Sequence, residues 1–148
     1  MQLGNSGKRD VRTQFAALPY RIVQGKPQVL LITSRETGRW IIPKGWPEDG
    51  MTAPESAARE AWEEAGIVGR MSETCLGIYS YLKALDSKER LPKVVAVFPI
   101  KVGKLAKTFP ETGQRKRKWF TRKKAAARVQ EPELRLMLRN FDPARLRL

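Results

Sequence analysis

The chain has 148 residues, 41% of them apolar, which suffices for one domain with a proper core. It contains no histidine, and this excludes serine–histidine triads, histidine-assisted proton transfer and the usual zinc sites. The formal charge of +14 is concentrated in residues 101–148, with 15 Lys or Arg against 4 Asp or Glu, and predicts a densely anionic partner.

Residues 1–10 are polar and lack the apolar run of a secretion signal, so a loose tail over residues 1–11 is expected. A single domain over residues 12–141 and a short C-terminal tail over 142–148 complete the expected organisation. Residues 15–23 read as a strand, in which Pro19 predicts an edge position or a bulge. A turn at residues 25–27 leads to an apolar, β-rich run over 28–33 and so to a hairpin. Residues 36–38 form another turn, 40–42 a short strand and 43–51 a loop. Thr52, Pro54 and Glu55 make a capping-box signature at the start of a helix that closes at Gly66. Strands follow at 76–82 and 93–102, joined by the charged loop 86–91, and a short one at 118–120. Thr121 opens a helix over 122–129, and Pro132 a last one through Leu138. The order predicts an α/β protein, a mixed sheet flanked by helices as an α/β/α sandwich.

Among the aromatic residues, Trp40 and Trp62 read as core and Trp119 as core or sheet edge. Trp46 is either packed on its loop or free to stack on a purine base. Tyr79 and Tyr81 share one strand face, expected to be packed. The lone Cys75 lies in an apolar, strand-like run and reads as a buried structural thiol. No apolar run approaches the length of a membrane span, and a cytoplasmic protein is expected.

The helix after Thr52 carries the chemistry. At 100° per residue Glu60, Glu63 and Glu64 fall on one side, while Ala58, Ala61, Trp62 and Ala65 fall on the other. Like charges at this spacing repel. The plain alternative is a solvated acidic face. Against it stands the strongly basic background, in which a local cluster of acids stands out. Three carboxylates in that arrangement offer oxygen donors to a hard cation, Mg²⁺ or Mn²⁺.

The segment from Gly45 to Ile67, GWPEDGMTAPESAAREAWEEAGI, resembles the Nudix box of hydrolases that cut diphosphate linkages. Gly45, Arg59, Glu60, Glu63, Glu64, Gly66 and Ile67 match the box at its spacing. The first glutamate of the box falls on Met51, a departure that bears on the orientation of Arg59. Glu55, four residues before Arg59, is a replacement partner, with Glu48 and Asp49 as others. Residues 39–45 resemble the strand that enters the box. Residues 114–120 resemble a segment of the diphosphoinositol polyphosphate phosphohydrolase branch. The resemblance runs from about residue 12 to 141.

The resemblance implies a Nudix-type fold and a metal-dependent pyrophosphohydrolase acting on acid anhydrides. It implies metal ligation by Glu60, Glu64 and the carbonyl of Gly45, with Glu63 as a ligand or the proton acceptor and Arg59 in support. Substrates would be diphosphoinositol polyphosphates or diadenosine polyphosphates. The alternatives are a pyrophosphohydrolase of RNA 5′ ends, contacting RNA through the basic C-terminal third, or a non-catalytic RNA- or phosphate-binding module. Arg12, Ser34, Arg35, Arg39, Lys44, Arg90, Arg115 and Arg117 are the candidate substrate contacts, with Arg21 a further one. For each, a solvated surface charge is the competing interpretation. Glu111 reads as a solvated loop residue or an extra acidic ligand.

Overall fold

The computed structural model describes residues 13–82 and 92–146. The expected N-terminal tail, the loop 86–91, Arg12 and Arg90 lie outside the described residues.

In the second strand Val29 and Leu31 point to one side and Leu30 and Ile32 to the other, and all four are fully buried. A strand apolar on both faces must be covered on both faces. The strands are β1 (Thr13–Val23), β2 (Lys26–Thr33), β3 (Trp40–Ile41), β4 (Lys44–Gly45), β5 (Ile67–Met71), β6 (Gly77–Tyr81), β7 (Lys93–Leu105) and β8 (Arg117–Thr121). Among the described residues they form one sheet in the order β3-β2-β1-β7-β5, with β4 on β1, β6 on β7 and β8 on β2. The pairing of β1 with β7 is parallel and the others are antiparallel, so the sheet is mixed.

Helix α1 (Ala53–Ala65) covers one face, packing Ala57, Ala61 and Ala65 on Ala17, Leu30, Ile32, Phe98 and Ile100. Helices α2 (Arg122–Arg128) and α3 (Pro132–Arg139) cover the other over Leu18, Tyr20, Val29, Leu31, Val95 and Val97. Leu134 and Leu138 of α3 are fully buried, each contributing about 1.5–3 kcal/mol. This is the expected α/β/α sandwich. No described helix is long and apolar enough to cross a membrane.

Several expectations are corrected. Pro19 is in a central strand, not at an edge. It sits where β1 changes partners on one flank, between the pairing of Phe15 and Ala16 with β4 and that of Tyr20 with β2. A missing N–H costs least at such a gap. Strand β5 was not expected; Gly69 interrupts its apolar pattern, and the register shifts between Val68 and Gly69. Trp62 is 37% exposed rather than core, and the inward stripe of α1 uses Ala57 where Ala58 was expected. Cys75 is exposed. Within the expected C-terminal tail, Pro143–Arg145 forms a 3-10 helix and Leu146 packs on the core under α3.

Candidate active site

Both ends of α1 are anchored. At its start the Thr52 N–H donates to Glu55 Oε1 at 2.8 Å, and Glu55 N–H donates back to Thr52 Oγ1 at 3.3 Å. At its end Gly66 takes φ 68°, ψ 27°, a left-handed conformation that suits glycine, and its N–H donates to the Trp62 carbonyl at 2.9 Å. The Arg117 guanidinium donates to the carbonyls of Ala65 (2.6 Å) and Ala106 (2.9 Å), bringing a cation to the negative helix terminus.

The short strand β4 runs beside this helix because Phe15 and Ala16 of β1 pair with Gly45 and Lys44. The Glu60 carboxyl lies so close to Gly45 that a β-carbon there would overlap it. Glu64 is 8% exposed; it accepts from the Lys44 N–H at 3.3 Å, and Arg115 Nη2 stands 3.8 Å from its Oε2. Burial first, then the negative charge of Glu64 and a hydrogen bond with it, raise the Glu60 pKa to about 8. Burial also raises that of Glu64, against the opposing pull of Arg115 and Lys44. The ammonium of Lys44 is pushed down, chiefly by its own burial.

Glu63 is arranged differently. Its Oε2 accepts from Arg59 Nε at 3.1 Å, and the same Nε is 3.6 Å from Glu48 Oε2. Among the described residues no three acids close into a ready cage for a metal ion. The expected trio is therefore a close pair, Glu60 and Glu64, with the third carboxylate held by arginine. The pair fits a divalent cation: its donors are oxygens only, and two buried acids that crowd one another are relieved by a positive ion.

Glu111 stands beside the ridge through backbone geometry: its N–H donates to the Glu63 carbonyl at 3.0 Å. Its carboxylate accepts from Arg115 Nε at 3.1 Å and lies 3.8 Å from Arg35 Nη1. It is a paired residue, not a solvated one. Nothing in the spacing of a loop residue 47 positions after Glu64 signals this. Arg115 also donates to the Thr33 carbonyl at 3.2 Å. A cleft of about 340 Å³ opens next to it, lined by Thr33, Gly38, Gly113, Gln114, Arg115 and Lys116.

The candidate substrate contacts separate in the structure. Arg35 is exposed beside the cleft and donates to Gln114 Oε1 at 3.0 Å. Ser34 shares a 2.6 Å hydrogen bond with Thr37 in the adjoining turn. Lys44 turns its ammonium over the Tyr81 ring, 5.1 Å from the centroid. Arg39 is committed to Glu131 at 2.9 Å on the α3 side. Arg117 is bound to main-chain carbonyls and does not share the outlook of Arg115, which precedes β8 and escapes its alternation. Arg21 lies over Trp119 on the hairpin. Trp40 packs edge-on against Phe120, whereas Trp46 is 44% exposed.

A family model described as the NUDIX domain matches residues 13–141. The chain is 32% identical over 131 residues to Nudix hydrolase 13, mitochondrial, of Arabidopsis thaliana, covering 77% of this chain and 65% of that one. It is 31% identical over 111 residues to diphosphoinositol polyphosphate phosphohydrolase 3-alpha of Mus musculus, covering 74% of this chain and 63% of that one. The chain thus spans slightly less than two thirds of the length of these curated relatives. Its fold is similar to that of a C. elegans Ap4A hydrolase solved as a binary complex, with a TM-score of 0.64 and 23% identity over 86% of this chain and 92% of that one.

Proposed function

We infer the activity from the family and the ridge together: the chain belongs to the Nudix hydrolases, enzymes that act on pyrophosphate bonds and use divalent metal ions, and we propose that it hydrolyses phosphoanhydride linkages in densely phosphorylated small molecules. The observation that carries this is the crowded carboxylate pair, Glu60 and Glu64, set against the main chain of Gly45. A protein that only gripped phosphate would gain nothing from clustered negative charge there.

Glu60, Glu64 and the Gly45 carbonyl would hold Mg²⁺ or Mn²⁺. When bound, such an ion supplies charge neutralisation on the diphosphate oxygens and makes water more acidic. Glu63, less buried than Glu64, accepts the proton of the attacking water at a carboxylate oxygen. Arg59 keeps that carboxylate on the ridge. Arg115, itself nearly buried, orders Glu64 and Glu111, and Arg35 with the cleft beside it receives the non-reacting phosphates. We leave Arg39 and Arg117 out of the substrate set, because Glu131 and two carbonyls already occupy them.

Diphosphoinositol polyphosphates and diadenosine polyphosphates are the proposed substrates. They agree with the strongly cationic chain and with the names borne by the mouse relative and the C. elegans structure. A second substrate, triphosphorylated RNA, is favoured by one observation: Lys123, Lys124, Arg128, Arg135 and Arg139 are exposed on the layer opposite α1. A small molecule seated at the ridge does not reach them, whereas a polynucleotide does. The deciding experiment measures phosphate release from inositol pyrophosphates, diadenosine polyphosphates, nucleoside triphosphates, ADP-ribose and triphosphorylated RNA, with Mg²⁺ and with EDTA. The first two are expected to lead. Preference for ADP-ribose refutes the substrate assignment, and failure to cleave any anhydride refutes the activity.

A further inference from the structure

Met51 occupies the position at which the box carries its first glutamate, and its side chain is exposed. Arg59 nevertheless has two acidic partners, Glu63 on its own helix and Glu48 on the loop before it. Glu55, which the four-residue spacing suggests, is engaged elsewhere: its carboxylate accepts from the Thr52 N–H in the helix cap. Glu48 is well placed for the task. Its N–H donates to the Oγ of fully buried Ser56 at 3.2 Å, and its carbonyl accepts from the Met51 N–H at 3.1 Å. Its main chain is thus fixed to the first turn of α1, and only its side chain must order to reach the guanidinium.

An exposed pair four residues apart on one helix is weak, because two long side chains sample many rotamers. A third charge from another segment changes this. The guanidinium then bridges loop and helix, and its charge is divided between two carboxylates. We propose that Glu48 has taken over the positioning role vacated at Met51: it draws Arg59 toward the loop and thereby sets how firmly Arg59 holds Glu63. Without Glu48, Arg59 pairs with Glu63 alone and neutralises the carboxylate that takes the proton. This inference rests on the ridge being a cation-assisted hydrolytic site.

The test compares wild type, Glu48→Gln, and the double variant Glu48→Gln with Met51→Glu. Glutamine keeps both main-chain bonds and removes only the charge. Three quantities are measured: the Arg59 Nε–Hε resonance, Mn²⁺ affinity by paramagnetic titration, and kcat with KM. Glu48→Gln is expected to shift the Arg59 resonance and to lower kcat by about 10–100-fold, as losses of an outer partner do, with Mn²⁺ affinity, KM and melting temperature little changed. Restoring the motif glutamate at residue 51 is expected to recover most of that loss. An unmoved Arg59 resonance or a wild-type kcat in Glu48→Gln overturns the inference, and so does a double variant no better than Glu48→Gln. If wild type binds no divalent ion and cleaves no anhydride, the proposed activity falls, and the Arg59 resonance still reports whether Glu48 holds the guanidinium.

Discussion

In the cation-free protein Glu60 keeps its proton up to about pH 8, chiefly because it is buried and because Glu64 lies beside it. In the unfolded chain the same carboxyl ionises near its ordinary value of about 4.3. The folded state therefore binds more protons across that window, and its stability is fully present below the unfolded value and declines as pH rises toward 8. Urea denaturation in EDTA at pH 5, 6, 7 and 8 should show this fall, and Glu60→Gln should flatten it; equal slopes in both proteins would refute the assignment. Gly45→Ala tests the same contact from the other side. The new β-carbon overlaps the Glu60 carboxyl, so the carboxylate must move, and cation affinity should drop about 10-fold or more. Glu63→Gln, if Glu63 is the proton acceptor, should lower kcat by roughly 10²–10⁴-fold with the fold intact.

Helix α1 is a rigid platform because its caps are made by neighbours as well as by itself. Thr52→Ala removes the acceptor for the Glu55 N–H and should cost about 1 kcal/mol, read as a lower urea midpoint. Arg117→Met leaves the carbonyls of Ala65 and Ala106 without their donor. About 1–3 kcal/mol of stability should be lost while KM stays near wild type; a large rise in KM would return Arg117 to the substrate set. This contrast marks how far the sequence could be read. The capping box, the Gly66 stop, the β1–β2 hairpin and the flanking helices are local features, written in adjacent residues, and all are in the structure. The rotation of α1 is not legible in the sequence, because Glu64, a charged residue, is drawn inward by Lys44 and Arg115 from distant segments. Strand β5 carries no clear strand signal, because Gly69 breaks its pattern. The alliances of Arg117 with Ala65 and of Arg39 with Glu131 depend on which loops meet, and spacing along the chain does not encode that. For Arg59 the sequence does offer Glu48 among its partners, and the loop geometry selects it over Glu55.

At the scale of the whole molecule the net charge of +14 is a standing repulsion, since the described ion pairs offset few of the cations. Raising NaCl from about 0.1 M to 1 M contracts the screening length from about 10 Å to 3 Å. The melting temperature should rise across that range, and a fall would mean that the ion pairs outweigh the repulsion. The parallel pairing of β1 with β7 has a consequence during synthesis. Thr13 pairs with Val94, so that flank of β1 waits 81 residues for its partner. On a ribosome adding about 5–20 residues per second the wait is roughly 4–16 s. Throughout it the emerging hairpin presents an open edge to other nascent chains. Protease challenge of stalled translation products should find the hairpin cleavable until the seventh strand has cleared the exit tunnel, and crowded polysomes become the place where this protein is most prone to aggregate.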